Sequence, residues 1–229
     1  MSDKADSGVT LSEVHIGARG STSTGAVRVV CISDTHSHHR DLKLPPGDVL
    51  VHAGDFTRFG RLEHAEDFDE WLGEQPFEHR IIVAGNHEQK AEWFQRRGST
   101  MGWTPRNGTL LRDSGCEAAG LTFYGCVFAW PVNFCCGPGS RYRAVPAGVD
   151  VLVVHGPAKG YVDHGCGCPD LRYEVARARP RLLVCGHIHG AHGMTQGVDE
   201  HADTCFVNAA MCRDGYTIGW EPFVATLEV

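Results

Sequence analysis

Eight residues of this 229-residue chain have types and spacings that could do chemistry together: Asp34, His36, Asp55, Asn86, His87, His155, His187 and His189. Mixed carboxylate, amide and imidazole donors suit borderline and hard divalent metals such as Mn, Fe, Co, Ni or Zn, and not soft Cu(I). Asp34 and His36 are one residue apart, and His187 and His189 repeat that spacing. In an extended segment residues i and i+2 point to the same face, so each pair could approach one ion. Asp55 follows Gly54 and Asn86-His87 follows Gly85. Glycine at those points permits a tight turn and close backbone approach to an ion or substrate.

Residues so far apart must be gathered by secondary structure, and one pattern recurs. A short apolar, β-branched run ends in polar, metal-competent residues. Residues 27–33 lead into Asp34 and His36, 48–54 into Asp55, and 80–85 into Asn86 and His87. Residues 149–154 lead into His155, and 181–186 into His187 and His189. Such runs fit strands buried on both faces, and in open α/β sheets ligand sites lie beyond the carboxyl ends of the strands. The pattern therefore predicts one shared site. Helices are predicted over 62–72, 90–97 and 170–179, an antiparallel meander over 109–128, and strands over 204–209 and 223–229. The expected fold class is α/β, with two packed, mostly mixed β-sheets flanked by helices. Residues 26–229 read as one domain, and the polar residues 1–25, rich in Ser, Thr and Gly, as a flexible tail.

Taken as a set, Asp34-x-His36, Gly54-Asp55, Gly85-Asn86-His87-Glu88, His155-Gly156 and Gly186-His187-x-His189 resemble the signature of the calcineurin-like metallophosphoesterases. The phrases beginning at Ser33, His52, Val83 and His155 (SDTHS, HAGDFT, VAGNHE and HGPAKG) resemble one branch. That branch is the metallophosphoesterase domain-containing proteins, grouped with the class III cyclic nucleotide phosphodiesterases. The resemblance implies a four-layer αββα fold and two divalent metal ions. One ion would be held by Asp34, His36, Asp55 and His189, the other by Asp55, Asn86, His155 and His187, with Asp55 bridging. Some members of the branch lack the histidine matching His187 and are weakly active; its presence here implies that both metal positions are intact. Purple acid phosphatases carry a tyrosine three residues after the bridging aspartate, where this chain has Arg58, so no tyrosinate–iron site is expected. Two ions about 3.5–4 Å apart can generate hydroxide at neutral pH and stabilise attacking and leaving oxygens. The expected chemistry is in-line attack of a metal-bound hydroxide on phosphorus, with Asn86 and His87 contacting the substrate and His87 protonating the leaving alkoxide.

Formal net charge is −7 and no stripe of Lys and Arg interrupts it, which argues against a long nucleic acid as partner. A small anion remains compatible, because two divalent cations with two carboxylates and a hydroxide leave the centre at about +1. No run approaches the roughly 18 apolar residues that cross a bilayer, and residues 1–25 lack a secretory or transit pattern, so a cytoplasmic protein is expected. Neither a Gly-x-Ser-x-Gly elbow nor a P-loop is present, which disfavours serine hydrolases and P-loop nucleotidases. The function expected is hydrolysis of small phosphodiesters (cyclic nucleotides or aryl phosphodiesters), with manganese among the metals. The alternatives are a phosphomonoesterase and a weakly active nucleotide-binding or scaffold protein. The presence of His187 favours turnover.

Other polar residues are ambiguous. His52, inside a run, reads as a core group or one that orients a metal ligand. His38 and His39 could line the mouth, though solvated loop positions fit equally, and His192 divides between substrate contact and loop. His15, His64, His79, His164 and His201 read as ordinary surface or core residues. Residues 130–134 (WPVNF) could form an aromatic wall or a loop closing over the core. Cys31, Cys126 and Cys185 sit in apolar runs and read as free buried thiols. Cys135–Cys136 and Cys166/Cys168 lie nearer loops and lack zinc-ribbon spacing.

Overall fold

The computed structural model describes residues 12–19, 25–95, 102–128 and 141–229. The first strand, β1 (Ser12–Ile16), lies where the sequence suggests a tail, and it corrects that expectation. It pairs in parallel with the last strand of the chain, Val14 opposite Ala225, and Val14 and Ile16 pack against the central core.

The five apolar runs fold as strands: β2 (Ala26–Ile32), β3 (Val49–His52) and β4 (His79–Ile82) early in the chain, and two more beyond its middle. Between β3 and β4 runs α1 (Leu62–Glu74), whose Ala65, Phe68, Trp71 and Leu72 form one buried face at helical spacing. Pro76 follows its C-cap, where a helix cannot continue. The helix expected over 90–97 begins earlier and is broken: α2 (Asn86–Gln89) and α3 (Glu92–Gln95) are single turns, with residues 96 and 97 outside the described residues.

The expected 109–128 meander is divided between two sheets. β5 (Thr109–Leu110) pairs in parallel with β4, and only β6 (Ser114–Ala118) and β7 (Leu121–Gly125) form an antiparallel hairpin. The chain continues through β8 (Val151–Val153), α4 (Pro169–Ala178), β9 (Leu182–Cys185), β10 (Gly193–Gln196) and β11 (Cys205–Asn208). It ends in a small hairpin, β12 (Cys212–Arg213) and β13 (Thr217–Ile218), followed by β14 (Phe223–Glu228). α4 starts with Pro169 at its first turn, the Cys168 sulfur accepting from Leu171 N–H, and stops at Arg179 in a left-handed conformation before Pro180.

Two six-stranded mixed sheets result, in the orders β1-β14-β2-β3-β4-β5 and β10-β11-β9-β8-β7-β6. Their inner faces meet in one core that includes Val29, Val51, Phe123, Val153, Val184 and Val207. The outer face of the first sheet packs Val30, Leu50 and Ile82 against α1 and α3; that of the second packs Leu152, Leu183 and Phe206 against α4. This is the αββα layering expected. Among the described residues no helix is long and apolar enough to cross a membrane, and Cys31, Cys166 and Cys185 are free thiols.

Candidate metal centre

The chemistry-bearing residues all follow the carboxyl ends of β2, β3, β4, β8 and β9, and both sheets deliver them to one place. The local geometry is not the extended one inferred from i, i+2 spacing. Asp34, His36, Asp55 and His187 have φ of 52°, 44°, 55° and 68°, the left-handed region that costs L-residues about 1–2 kcal/mol each. A backbone ladder over-determines these turns. Asp34 N–H donates to Gly54 O at 2.9 Å, His36 N–H to Asp55 O at 3.0 Å and Ser37 N–H to Phe56 O at 2.9 Å. Gly54, at φ +102°, allows the turns to nest, since a Cβ there would stand 2.7 Å from Gly85 N and His155 Nδ1.

Each donor is held by one atom and presents another. Asp34 Oδ2 accepts from His187 N–H at 2.9 Å, while its buried Oδ1 has no hydrogen-bond partner. Asp55 Oδ1 accepts from His87 N–H at 2.9 Å, and Oδ2 stands 3.4 Å from His155 Nε2, 3.7 Å from His87 Nε2 and 4.0 Å from His36 Nε2. His155 Nδ1–H donates to the Ala53 carbonyl at 2.8 Å, which turns Nε2 inward, 3.1 Å from Asn86 Oδ1. His189 uses Nδ1–H toward Arg213 O, and its Nε2 lies 3.1 Å from His36 Nε2 and 3.4 Å from Asp34 Oδ1. Three sets of donor atoms lie within 4.8 Å of one another: Asp34, His36 and His189; Asp55, His155 and His187; and His36, Asp55 and His87.

Charge shows what such an arrangement requires. Burial alone would raise the Asp34 pKa, but the imidazoles of His155, His189 and His36 outweigh it and hold the carboxyl far below its ordinary range. Burial pushes His36 and His187 down to about 4, so both imidazoles are uncharged at neutral pH. Against burial, the Asp55 and Asp34 carboxylates pull His155 up to about 9. Two buried carboxylates thus demand positive charge, which in the metal-free centre His155 answers by holding a proton, and one carboxylate oxygen, Asp34 Oδ1, is still left without a hydrogen-bond partner. The donor set fits divalent cations.

Of the uncertain residues, His52 is fully buried between two of the turns. Its Nδ1 accepts from Gly54 N–H at 3.2 Å, so Nε2–H donates to Thr35 Oγ1 at 3.0 Å. It therefore orients the two turns, in line with the second reading. His38 pairs with Asp41 and is absent from the cavity lining. His39 is buried and hydrogen-bonded to Asp67 at 2.9 Å, not solvated. His192 stacks on Trp220 and Phe223, bonded to Ala210 O, and does not reach the centre. Residues 130–134 and Cys135–Cys136 lie outside the described residues.

Sequence reasoning passes over four residues beside the centre. Glu88 is buried and accepts from Asp55 N–H, Gly85 N–H, Thr57 N–H and the Thr57 hydroxyl at 2.6–2.9 Å; burial and the Asp55 charge raise its pKa to about 7. Tyr216, in the turn between β12 and β13, puts its ring 4.5 Å from that of His36. Phe59 lies beside His87, and His164 lines the same cavity of about 630 Å³. The signals available were the glutamate inside the Gly-Asn-His-Glu block and an Asp-Gly turn before Tyr216. A second hollow of similar size borders Arg19, Arg177, Arg179 and Arg181, but those guanidiniums already bind main-chain carbonyls and the carboxylates of Glu174, Asp203 and Asp150.

Comparison with known proteins points the same way. The sequence pattern of the calcineurin-like phosphoesterases matches residues 27–191. Metallophosphoesterase domain-containing protein 1 of Homo sapiens is 34% identical, over 89% of this chain and 72% of its own length. A UPF0046 protein of Caenorhabditis elegans is also 34% identical, over 92% of this chain and 78% of its own. A solved crystal structure, 13% identical, superposes with a TM-score of 0.53 over 80% of this chain and 90% of that one, a likeness of fold.

Proposed function

The chain belongs to the calcineurin-like phosphoesterase family of metal-dependent phosphoester hydrolases, and on that premise we propose that it is a phosphodiesterase for small, nucleotide-like or aryl phosphodiesters. The reading places two divalent cations in the centre, one on Asp34, His36, Asp55 and His189 and one on Asp55, Asn86, His155 and His187. Support for two positions comes from the separate donor sets around Asp34 and around His155, with Asp55 Oδ2 lying toward both His36 and His155. Mn, Fe, Co, Ni and Zn all suit the donors. When bound, such ions supply a nucleophilic oxygen at neutral pH and neutralise charge on the phosphoryl group.

The residues of the chain supply the rest. Asp34 and Asp55 bring carboxylate charge, and His155 and Glu88 fix the turns that aim it. His87 Nδ1–H donates to the Arg58 carbonyl, so the ring's other nitrogen, Nε2, faces the cavity, and the imidazolium form of the ring is the one that holds the proton to be transferred there. As the P–O ester bond breaks, that proton goes to the departing oxygen, and the alcohol leaves neutral. The single observation that carries the reading is the convergence of oxygen and nitrogen donors from both sheets around two buried carboxylates.

The test is hydrolysis of bis(p-nitrophenyl) phosphate against p-nitrophenyl phosphate by manganese-reconstituted protein, with elemental analysis of the sample. Preference for the diester with about two metals per chain is expected. A strong monoester preference would reassign the centre to phosphomonoesters, and tight nucleotide binding with negligible hydrolysis across metals would make it a binding module. His87→Ala is expected to lower turnover of diesters with poor leaving groups by about 10²–10⁴, with metal content unchanged; full turnover would remove the proton-donor role.

A further inference from the structure

His87 does not stand alone at the mouth of the centre. The Phe59 ring lies 6.3 Å from its ring on one side, inclined by 24°, and the Tyr216 ring 6.1 Å away at 60°. The Arg58 guanidinium spans the two, 5.4 Å from the Phe59 centroid and 5.6 Å from that of Tyr216. Phe59 is 68% exposed, so its ring presents open apolar surface beside His87. Backbone geometry fixes both rings. Tyr216 occupies a left-handed position, φ 60°, in the β12–β13 turn after Gly215 at φ 85°, and its N–H donates to Arg213 O at 3.2 Å. The Arg58 carbonyl holds His87, so the segment bearing Phe59 is anchored to the proton donor itself.

We propose that Phe59, Tyr216 and Arg58 form the subsite for the leaving ester group, and that this group is planar and aromatic. The inference rests on the phosphodiesterase reading for the word "leaving", but the recognition of an aromatic phosphoester does not. A group whose oxygen takes a proton from His87 Nε2 lies against His87, and among the described residues the rings beside His87, apart from the metal-donor His36, are these two. A flat π-system finds there two aromatic surfaces and a guanidinium plane, while Arg58 adds positive charge beside the phosphoryl oxygens. An alkyl group finds the same space but gains no stacking.

Binding measurements test this without turnover. Manganese-loaded protein is titrated with methyl phosphate, phenyl phosphate and a nucleoside 5′-monophosphate, and the same is done for Phe59→Ala, Tyr216→Leu, Tyr216→Phe and Arg58→Gln. Wild-type protein is expected to favour an aromatic ester over methyl phosphate by about tenfold, the worth of one stacked ring. Most of that advantage should vanish in Phe59→Ala and Tyr216→Leu and return in Tyr216→Phe, with methyl phosphate affinity little changed. Arg58→Gln should weaken all three ligands. Loss confined to phenyl phosphate assigns the subsite to aryl esters, and loss confined to the nucleotide assigns it to nucleosides; both uphold it. An advantage unchanged in Phe59→Ala and Tyr216→Leu, or absent from wild-type protein, overturns the proposal. If binding behaves as expected but no diester is hydrolysed, the phosphodiesterase reading fails and the aromatic subsite stands. Phe59 is exposed, so its replacement does not threaten folding.

Discussion

Glu88 shows how much one side chain outside the donor set can decide. Its two oxygens receive the main chains of Asp55, Gly85 and Thr57, tying the turn after β3 to the turn after β4. A glutamine there presents an amide nitrogen to donors that need an acceptor, leaving buried N–H groups unmatched. Glu88→Gln is expected to cost about 2–4 kcal/mol of stability and to weaken metal binding by about 10- to 100-fold. Denaturant unfolding and metal titration check the two effects; a variant with wild-type metal affinity would show that the turns hold without it. At this scale the donors were legible in the sequence because the chemistry demands Asp, Asn and His before anything else. Their conformations were not: the left-handed turns at Asp34 and His36 depend on carbonyls of Gly54 and Asp55, about twenty residues away. Nor do neighbours of the same type share a fate, since His38 faces solvent with Asp41 while His39 is buried against Asp67, Phe68 and Trp71.

At the scale of elements, the apolar runs were legible because strands buried on both faces leave a continuous hydrophobic record. The edges were less so. β1 offers only Val14 and Ile16 to the core, alternating with Glu13 and His15, and its hold comes from distant residues. Arg181 donates to the carbonyls of Ile16 and Gly17 and pairs with Asp150, while Arg28 pairs with Glu13 at 3.2 Å. β5 was misassigned for a related reason: two residues carry no periodicity, and only pairing with β4 reveals their sheet. Removing residues 1–19 is expected to cost about 2–3 kcal/mol, from the partial burial of two aliphatic side chains. It should also leave β14 as an open edge that promotes self-association. Thermal unfolding and light scattering read these effects, and the metal affinity should survive, because β1 contributes nothing to the centre.

For the whole molecule, acid should be the sharpest stress. Burial pushes His39 and His192 down to about 4 and His52 to about 3, from an ordinary 6.5. Between those values the unfolded chain binds protons that the folded chain refuses, so stability rises with pH across the window and is lost as pH falls from 6.5 toward 4. Each histidine should cost about 2 kcal/mol at pH 5. In metal-free protein His36 and His187 act in the same direction. Unfolding curves at several pH values check this, and His39→Gln should flatten the slope; an unchanged slope would contradict it.

The two sheets meet along an apolar seam, and the donors come from both sides of it: Asp34, His36, Asp55 and Asn86 from one, His155, His187 and His189 from the other. An ion seated there is a rivet through two plates. Whatever loosens the plates must loosen the rivet, and tightening the rivet must press the plates together, by reciprocity of linked equilibria. Thinning the seam far from the centre, as in Leu227→Ala, should therefore weaken metal binding without touching a ligand, and chelation should soften the seam from end to end.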